Sequence, residues 1–168
     1  LSVPERCWWC RNTFESSPIG CPIRYEPQTV IKTFTSDVSK EHFVLEQPLP
    51  VDEKVDEVEH HVLRSYYETD GIFCSFNCCR AFIEEQLTNT HTKHLYTEST
   101  YLMMKLYCDL YGEYPSKMRP APSWQLLKEY GGYMTIQEFR NGFNVNCYNQ
   151  KGFLGQLPQV RPMGRVFE

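Results

Sequence analysis

The sequence predicts an α+β fold, and three observations carry that expectation. The run Thr29-Val30-Ile31-Lys32-Thr33-Phe34-Thr35 is rich in β-branched residues and has the composition of a strand. The stretches Cys78–Leu87 and Ser99–Leu110 have helical composition. Two close cysteine pairs, Cys7 with Cys10 and Cys74 with Cys78, flank the strand region. The chain has 168 residues, 41% of them hydrophobic and 14% aromatic. That is enough apolar material for a core, and too much for a disordered chain. The length fits one domain, or one domain with an elaborate insertion.

The chain holds eight cysteines, which need a chemical reason. Cys7-Trp-Trp-Cys10 is a C-x2-C pair and Cys74-Ser-Phe-Asn-Cys78 a C-x3-C pair. Zinc takes four soft ligands at tetrahedral corners, and two closely spaced pairs from separate segments supply two edges of that tetrahedron. The first pair suits a tight knuckle. The second opens the Cys78–Leu87 helix, whose free amides and positive dipole end favour thiolate. Knuckle, hairpin and helix together describe a treble-clef-like module holding one structural Zn2+ on Cys7, Cys10, Cys74 and Cys78. A redox C-x-x-C would need a βαβ setting that the sequence does not present, and disulfides between the pairs would need an oxidising compartment. Cys21, Cys79, Cys108 and Cys147 stay outside the expected site. Cys108 reads as a small buried hydrophobe, and Cys79, directly after a ligand, should point elsewhere. His91 and His94, three apart, read as exposed polar residues, with a second metal site as the alternative. Adjacent His60 and His61 do not converge on one ion, and His42 stands alone.

The elements follow in order. Residues 1–90 form the zinc-binding module, interrupted by an insertion at 26–69. A proline-punctuated connection leads from Phe14 through Pro18 and Pro22 to an extended segment. The strand at 29–35 comes next, and a second is expected over Glu59–Tyr67, ahead of a turn at Asp70-Gly71. Between them, residues 40–60 carry seven acids against two lysines, a net −5 in a chain of net −4, so the remainder sums to +1. This acidic stretch reads as a solvated loop or edge, with a contact surface for a basic partner as the alternative. Residues 91–140 form a helical region. Its first helix has Ser99 or Thr100 as a cap and Gly112 as its stop. Pro115, Pro120 and Pro122 enforce an extended path. A short helical turn over Trp124–Tyr130 ends at Gly131-Gly132, and Thr135 with Glu138 forms a capping box. Residues 141–168 make an extended, mildly basic tail.

Several of these segments together resemble a known family. Cys7-Trp8-Trp9-Cys10, the Pro18-to-Tyr25 segment, and Gly71-Ile72-Phe73-Cys74-Ser75-Phe76-Asn77-Cys78 with Ala81-Phe82 are similar to the zinc-binding core of the poxvirus-type viral late transcription factor two family of nucleocytoplasmic large DNA viruses. The Phe-Cys-Ser-x-x-Cys form also resembles cellular zinc fingers of the FCS or MYM type. Pro120-Ala121-Pro122, Tyr130-Gly131-Gly132 and Met134-Thr135-Ile136-Gln137-Glu138-Phe139-Arg140 resemble the viral family's C-terminal signature. The stretch between Tyr25 and Gly71 is longer than that family's usual short hairpin. The resemblance implies a viral late-gene transcription accessory factor that works through protein contacts with the transcription machinery. It also implies a location in the host cytoplasm or viral factory, or packaged in the virion. Two alternatives use the same module: a virion or capsid-associated structural protein, and a binder of host signalling proteins.

Charge supports protein contacts over direct DNA recognition. A DNA binder ordinarily carries a marked basic patch, and here the pI is about 5.8 with Lys117, Arg119, Lys128, Arg140, Lys151, Arg161 and Arg165 scattered among acids. Trp8, Trp9 and Trp124 are candidate contacts, with core packing as the alternative role. The sequence has no Gly-rich phosphate loop or nucleophile elbow, and four cysteine ligands leave no open coordination position. No enzyme activity and no small-molecule substrate are expected. No run approaches the roughly 20 apolar residues that a membrane span needs, so no membrane partner is expected either.

Overall fold

The computed structural model describes residues 4–48, 61–115, 117–143 and 158–163. Six strands and three α-helices are present among them: β1 (Ile19–Glu26), β2 (Thr29–Thr35), β3 (His42–Pro48), β4 (His61–Leu63), β5 (Tyr66–Phe73), α1 (Phe76–Thr88), α2 (Ser99–Tyr111), α3 (Ile136–Asn141) and β6 (Gln159–Pro162). The strands form two three-stranded sheets, ordered β1-β5-β6 and β3-β2-β4. The fold is α+β.

The long insertion is an outgrowth of one hairpin. β1 and β5 pair antiparallel with Tyr25 opposite Tyr67 and Glu26 opposite Tyr66. Three residues further on, β2 and β4 take up the same register, with Thr29 opposite Leu63 and Ile31 opposite His61. The ladder therefore continues past Pro27-Gln28 into an arm, and β3 folds back on β2 to widen it. The β2 strand coincides with the expected run at 29–35. β3 lies in the acidic stretch and is exposed at every position, an edge strand of the kind anticipated there. Residues 49–60 of that stretch, including Glu59 and His60, lie outside the described residues.

Two expectations need correction here. The second strand does not run unbroken to Tyr67; it divides at Arg64-Ser65 into β4 and β5. Asp70-Gly71 is no turn either. It sits inside β5, where Ile19 pairs with Phe73 and Cys21 with Asp70, so β5 carries one extra residue. That is a bulge, and Gly71 adopts φ +71° within it. A bulge and a turn share one requirement, a residue tolerant of positive φ, and the dipeptide alone does not distinguish them.

α1 begins at Ser75, whose hydroxyl accepts from the Cys78 amide as an N-cap. α2 buries Leu102, Met103, Leu106 and Leu110, an i, i+4, i+8 stripe with one flanking position. Gly112 ends it at φ +74°, with its amide bonded to the Cys108 carbonyl. The expected Ser99 or Thr100 cap is not used. Glu98 holds the N-cap position without a side-chain bond, and Ser99 is buried in the first turn. α2 docks on β1 and β5 through polar groups as well. The Tyr67 hydroxyl donates to Asp109, which also takes the Lys105 ammonium at 2.9 Å. Burial first, and then the Asp109 carboxylate, push the Tyr67 hydroxyl's pKa upward.

After α2, Met118 and Ala121 are both buried ahead of two 3-10 turns at Trp124–Leu126 and Lys128–Tyr130. The second closes at Gly131, as expected. α3 carries the full capping box, Thr135 with Glu138. In the tail, Gln159–Pro162 joins the first sheet as β6, parallel to β5. Residues 144–157 and 164–168, with Cys147, Lys151 and Arg165, lie outside the described residues. One core runs from Cys7 and Trp9 through Phe73, Phe76 and Met103 to Leu127 and Phe139. No helix among the described residues is long and apolar enough to cross a membrane.

Candidate metal centre

The four cysteines singled out by spacing meet at one point. The sulfurs of Cys7, Cys10, Cys74 and Cys78 all lie within 4.8 Å of one another, and all four residues are buried. Cys10 Sγ is 3.8 Å from Cys74 Sγ, and Cys74 Sγ is 3.6 Å from Cys78 Sγ. Four thiols so gathered could hold a metal ion.

Local structure aims each sulfur. The knuckle is a tight loop closed by the Cys7 amide on the Asn12 carbonyl at 3.0 Å and the Arg11 amide on the Cys7 carbonyl at 2.9 Å. Arg11 takes φ +60° to make this turn, and the Asn12 side chain donates to the Cys10 carbonyl at 2.9 Å. The loop is pinned to β5 by the Trp8 amide on the Ile72 carbonyl, 2.8 Å. Gly71 makes that approach possible. A Cβ there would stand 2.7 Å from the Trp8 ring, closer than carbon atoms can pack. Cys74 lies between β5 and α1, with its carbonyl accepting from the Ser16 hydroxyl at 3.0 Å. Cys78 occupies the third position after the N-cap, in the first turn of α1.

The four thiols perturb one another strongly. Hydrogen bonds from Cys7, then Cys74 and Cys78, hold the Cys10 thiol far below the ordinary thiol range. Sharing the same bonds, chiefly with Cys10, pushes Cys74 and Cys78 above it. Four sulfurs this close cannot all carry negative charge unless a positive charge sits among them. The chain itself brings one positive charge close. Arg140, from α3, donates to the Thr13 carbonyl at 2.8 Å and reaches Cys10 Sγ at 3.8 Å. Burial works against its positive charge, but the Cys74 and Cys10 sulfurs outweigh burial and raise its pKa.

The C-terminal region is fastened to the centre at further points. Trp9 Nε1 donates to the Pro122 carbonyl at 2.8 Å. Asn77, one residue before Cys78, donates from its side chain to the Arg119 carbonyl at 2.8 Å, and its carbonyl accepts from the Ala121 amide at 2.9 Å. Arg11 lies over the Trp124 ring, 3.6 Å from the centroid. Trp9 is therefore a core residue and Trp124 is partly covered, while Trp8 remains 48% exposed with its ring edge-on to Phe73 and Phe82. Spacing arguments find the cysteines but not Arg140 or Asn77, whose partners lie far away in sequence. The Ser75 cap is different: its place three residues before Cys78 is a local signal.

Among the described residues, no other cysteine or histidine joins the cluster. Cys21 and Cys79 are both fully buried and share a hydrogen bond; burial first, and that bond second, push the Cys79 thiol up. Cys108 is partly buried in α2. His42, His91 and His94 are exposed.

Comparison with known proteins gives viral relatives. The chain is 35% identical over 148 residues to a protein of Invertebrate iridescent virus 6 described as "Uncharacterized protein 350L", covering 88% of this chain and 67% of that protein. It is 30% identical over 161 residues to "Uncharacterized protein 026R" of Invertebrate iridescent virus 3, covering 88% and 69%. A shorter match, 31% over 107 residues, links it to "Uncharacterized protein R450" of Acanthamoeba polyphaga mimivirus and covers 27% of that protein. No family model matches the chain, and no solved structure matches it. The chain belongs to the family of large DNA virus proteins that includes 350L of Invertebrate iridescent virus 6 and 026R of Invertebrate iridescent virus 3.

Proposed function

We propose that Cys7, Cys10, Cys74 and Cys78 hold one structural zinc ion in a treble-clef-like module, and that the chain is an accessory factor of viral late-gene transcription acting through protein contacts. The spacing of the sulfurs carries the zinc reading. Zinc–sulfur bonds of about 2.3 Å in a tetrahedron set neighbouring sulfurs about 3.8 Å apart. The separations of 3.8 and 3.6 Å fit that edge. Four thiolates complete the coordination, so the ion's part is to stabilise the fold, with no open position for catalysis.

The transcription reading is supported by how the resembling segments fit together. The cysteine core and the C-terminal Pro-Ala-Pro, Gly-Gly and Thr-Ile-Gln-Glu-Phe-Arg segments are distant in sequence. Trp9, Asn77 and Arg140 bind them into one body around the cluster. Both parts of the resemblance thus lie in one body of this chain. Relatives from large DNA viruses agree with its being a viral protein. Affinity capture of the tagged chain from infected cells, read by mass spectrometry, is the test. Recovery of viral RNA polymerase subunits and late transcription proteins is expected. Recovery of capsid proteins or host signalling proteins in their place would overturn the transcription role and favour one of the two alternatives.

A further inference from the structure

The arm ends in an edge that no strand among the described residues covers. β3 pairs only with β2, and all seven of its residues are exposed. Edge strands are ordinarily blunted by lysines, prolines or bulges. β3 keeps an unbroken register from His42 to Pro48, has no lysine, and carries its single proline at the last position.

The hydrogen-bonding phase of that edge follows from the turn. The Ser36 amide donates to the Glu41 carbonyl and the Ser36 carbonyl accepts from the Lys40 amide, both at 2.9 Å, which puts Ser36 and Glu41 at a hydrogen-bonded pair position with a bulge at Lys40 (φ +58°). Antiparallel ladders alternate, so Phe34 with Phe43 and Lys32 with Leu45 are the next such pairs along the register. The amides and carbonyls of His42, Val44 and Glu46 then face away from β2, toward the bare edge. We propose that this edge pairs antiparallel with β3 of a second copy of the chain, about a dyad at Val44, making one six-stranded sheet from two three-stranded ones.

Side-chain chemistry selects both the occupant and the register. With the dyad at Val44, Val44 meets the partner's Val44, Phe43 meets the partner's Leu45, and His42 meets the partner's Glu46. Every pair is apolar on apolar or base on acid, and each cross-dyad pair occurs twice. The outward amides of His42, Val44 and Glu46 all find carbonyls. Moving the dyad to Leu45 would set Val44 against Glu46, Phe43 against Gln47, and His42 against Pro48, which has no amide proton to give. The apolar surface agrees with pairing. Phe34 and Phe43 are cross-strand neighbours, each about half exposed, with Leu45 on the same face. Two copies would merge these side chains into one strip.

Sedimentation equilibrium of the purified chain over a wide concentration range tests the proposal. A reversible dimer is expected. Val44→Pro removes an amide directed away from β2, so it should give a monomer while leaving the β2–β3 bonds in place. Val44→Lys sets two ammonium groups against each other at the dyad and should give the same result without a proline. His42→Glu opposes carboxylates at two symmetry-related places and should weaken the dimer about tenfold. Adding Glu46→Lys should restore it, which only this register explains. Circular dichroism confirms that each variant is folded. A wild-type chain that is monomeric at every concentration would overturn the proposal, as would a dimer indifferent to Val44→Lys and His42→Glu.

Discussion

Arg140 and Cys10 are 130 residues apart in sequence, yet the Arg140 guanidinium bridges the Thr13 carbonyl at 2.8 Å and the Cys10 sulfur at 3.8 Å. A tetrathiolate with a divalent ion carries a net charge of −2, and a partly buried cation beside it offsets part of that charge. Partners of this kind around a metal centre typically change affinity about ten- to a hundredfold. Arg140→Ala should therefore lower metal affinity by about tenfold or more. Arg140→Lys should fall between, keeping the charge but losing the guanidinium geometry that sets Nη2 against both the Thr13 carbonyl and the Cys10 sulfur. Competition with a chromogenic chelator measures both. Equal affinity in all three proteins would show that Arg140 only packs.

The capping box of α3 makes a pH prediction. The Glu138 carboxylate accepts from the Thr135 amide at 2.7 Å, and that bond, followed by the Thr135 hydroxyl, lowers its pKa below the ordinary glutamate value. A group whose folded pKa is depressed contributes stability above its unfolded pKa and loses it as pH falls through the folded one. NMR titration of Glu138 should give a midpoint under the usual value of about 4.3. Thr135→Ala removes the hydroxyl's bond to the carboxylate together with the cap bond it accepts from the Glu138 amide, but keeps the Thr135 amide bond, so it should raise the midpoint part of the way. A midpoint at or above the usual value in the wild type would contradict the box.

Gly71 is predicted to tolerate no side chain. Its φ of +71° alone would cost alanine about 1–2 kcal/mol. A Cβ at this position would also stand 2.7 Å from the Trp8 ring, a clash that must move the knuckle. Gly71→Ala should lower the midpoint of urea unfolding, while the control Gly142→Ala, whose Cβ would meet nothing nearer than 3.8 Å, should change it little. Equal midpoints for the two variants would show that the knuckle can shift without cost.

Trp9 offers a test of how the C-terminal region is attached. Its indole N–H donates to the Pro122 carbonyl at 2.8 Å in a nearly buried setting. Trp9→Phe keeps an aromatic in the core and deletes the donor, so a loss of about 1–3 kcal/mol in unfolding free energy is expected. Hydrogen exchange should rise around Ala121 together with the knuckle. Faster exchange at one segment alone would mean that the two are not coupled.

Local chemistry made much of this legible in advance. The β-branched run became β2 at the same residues, Gly112 stops α2, and Thr135 with Glu138 caps α3. Each of these signals lies within a few residues of what it controls. The cysteines were legible because metal-ligand spacing is also local, within each pair. The rest depends on distant partners. Asp70-Gly71 looks like a turn until Cys21 and Ile19 pair across it and make a bulge. Ser99 looks like a cap, but burial of the first turn of α2 places it inside the helix. β6 has only four residues and becomes a strand because β5 offers it an edge. Arg140 carries no mark in sequence of the sulfur it reaches.

The most direct test of the central claim is the metal content of the purified full-length chain, by elemental analysis with thiol counting under native conditions. The account predicts about one zinc per chain. It also predicts that Cys7, Cys10, Cys74 and Cys78 resist thiol reagents until a chelator removes the ion, and that Cys74→Ser loses the zinc and the fold together. A chain that folds without zinc, with Cys7 and Cys10 joined in a disulfide, would contradict it.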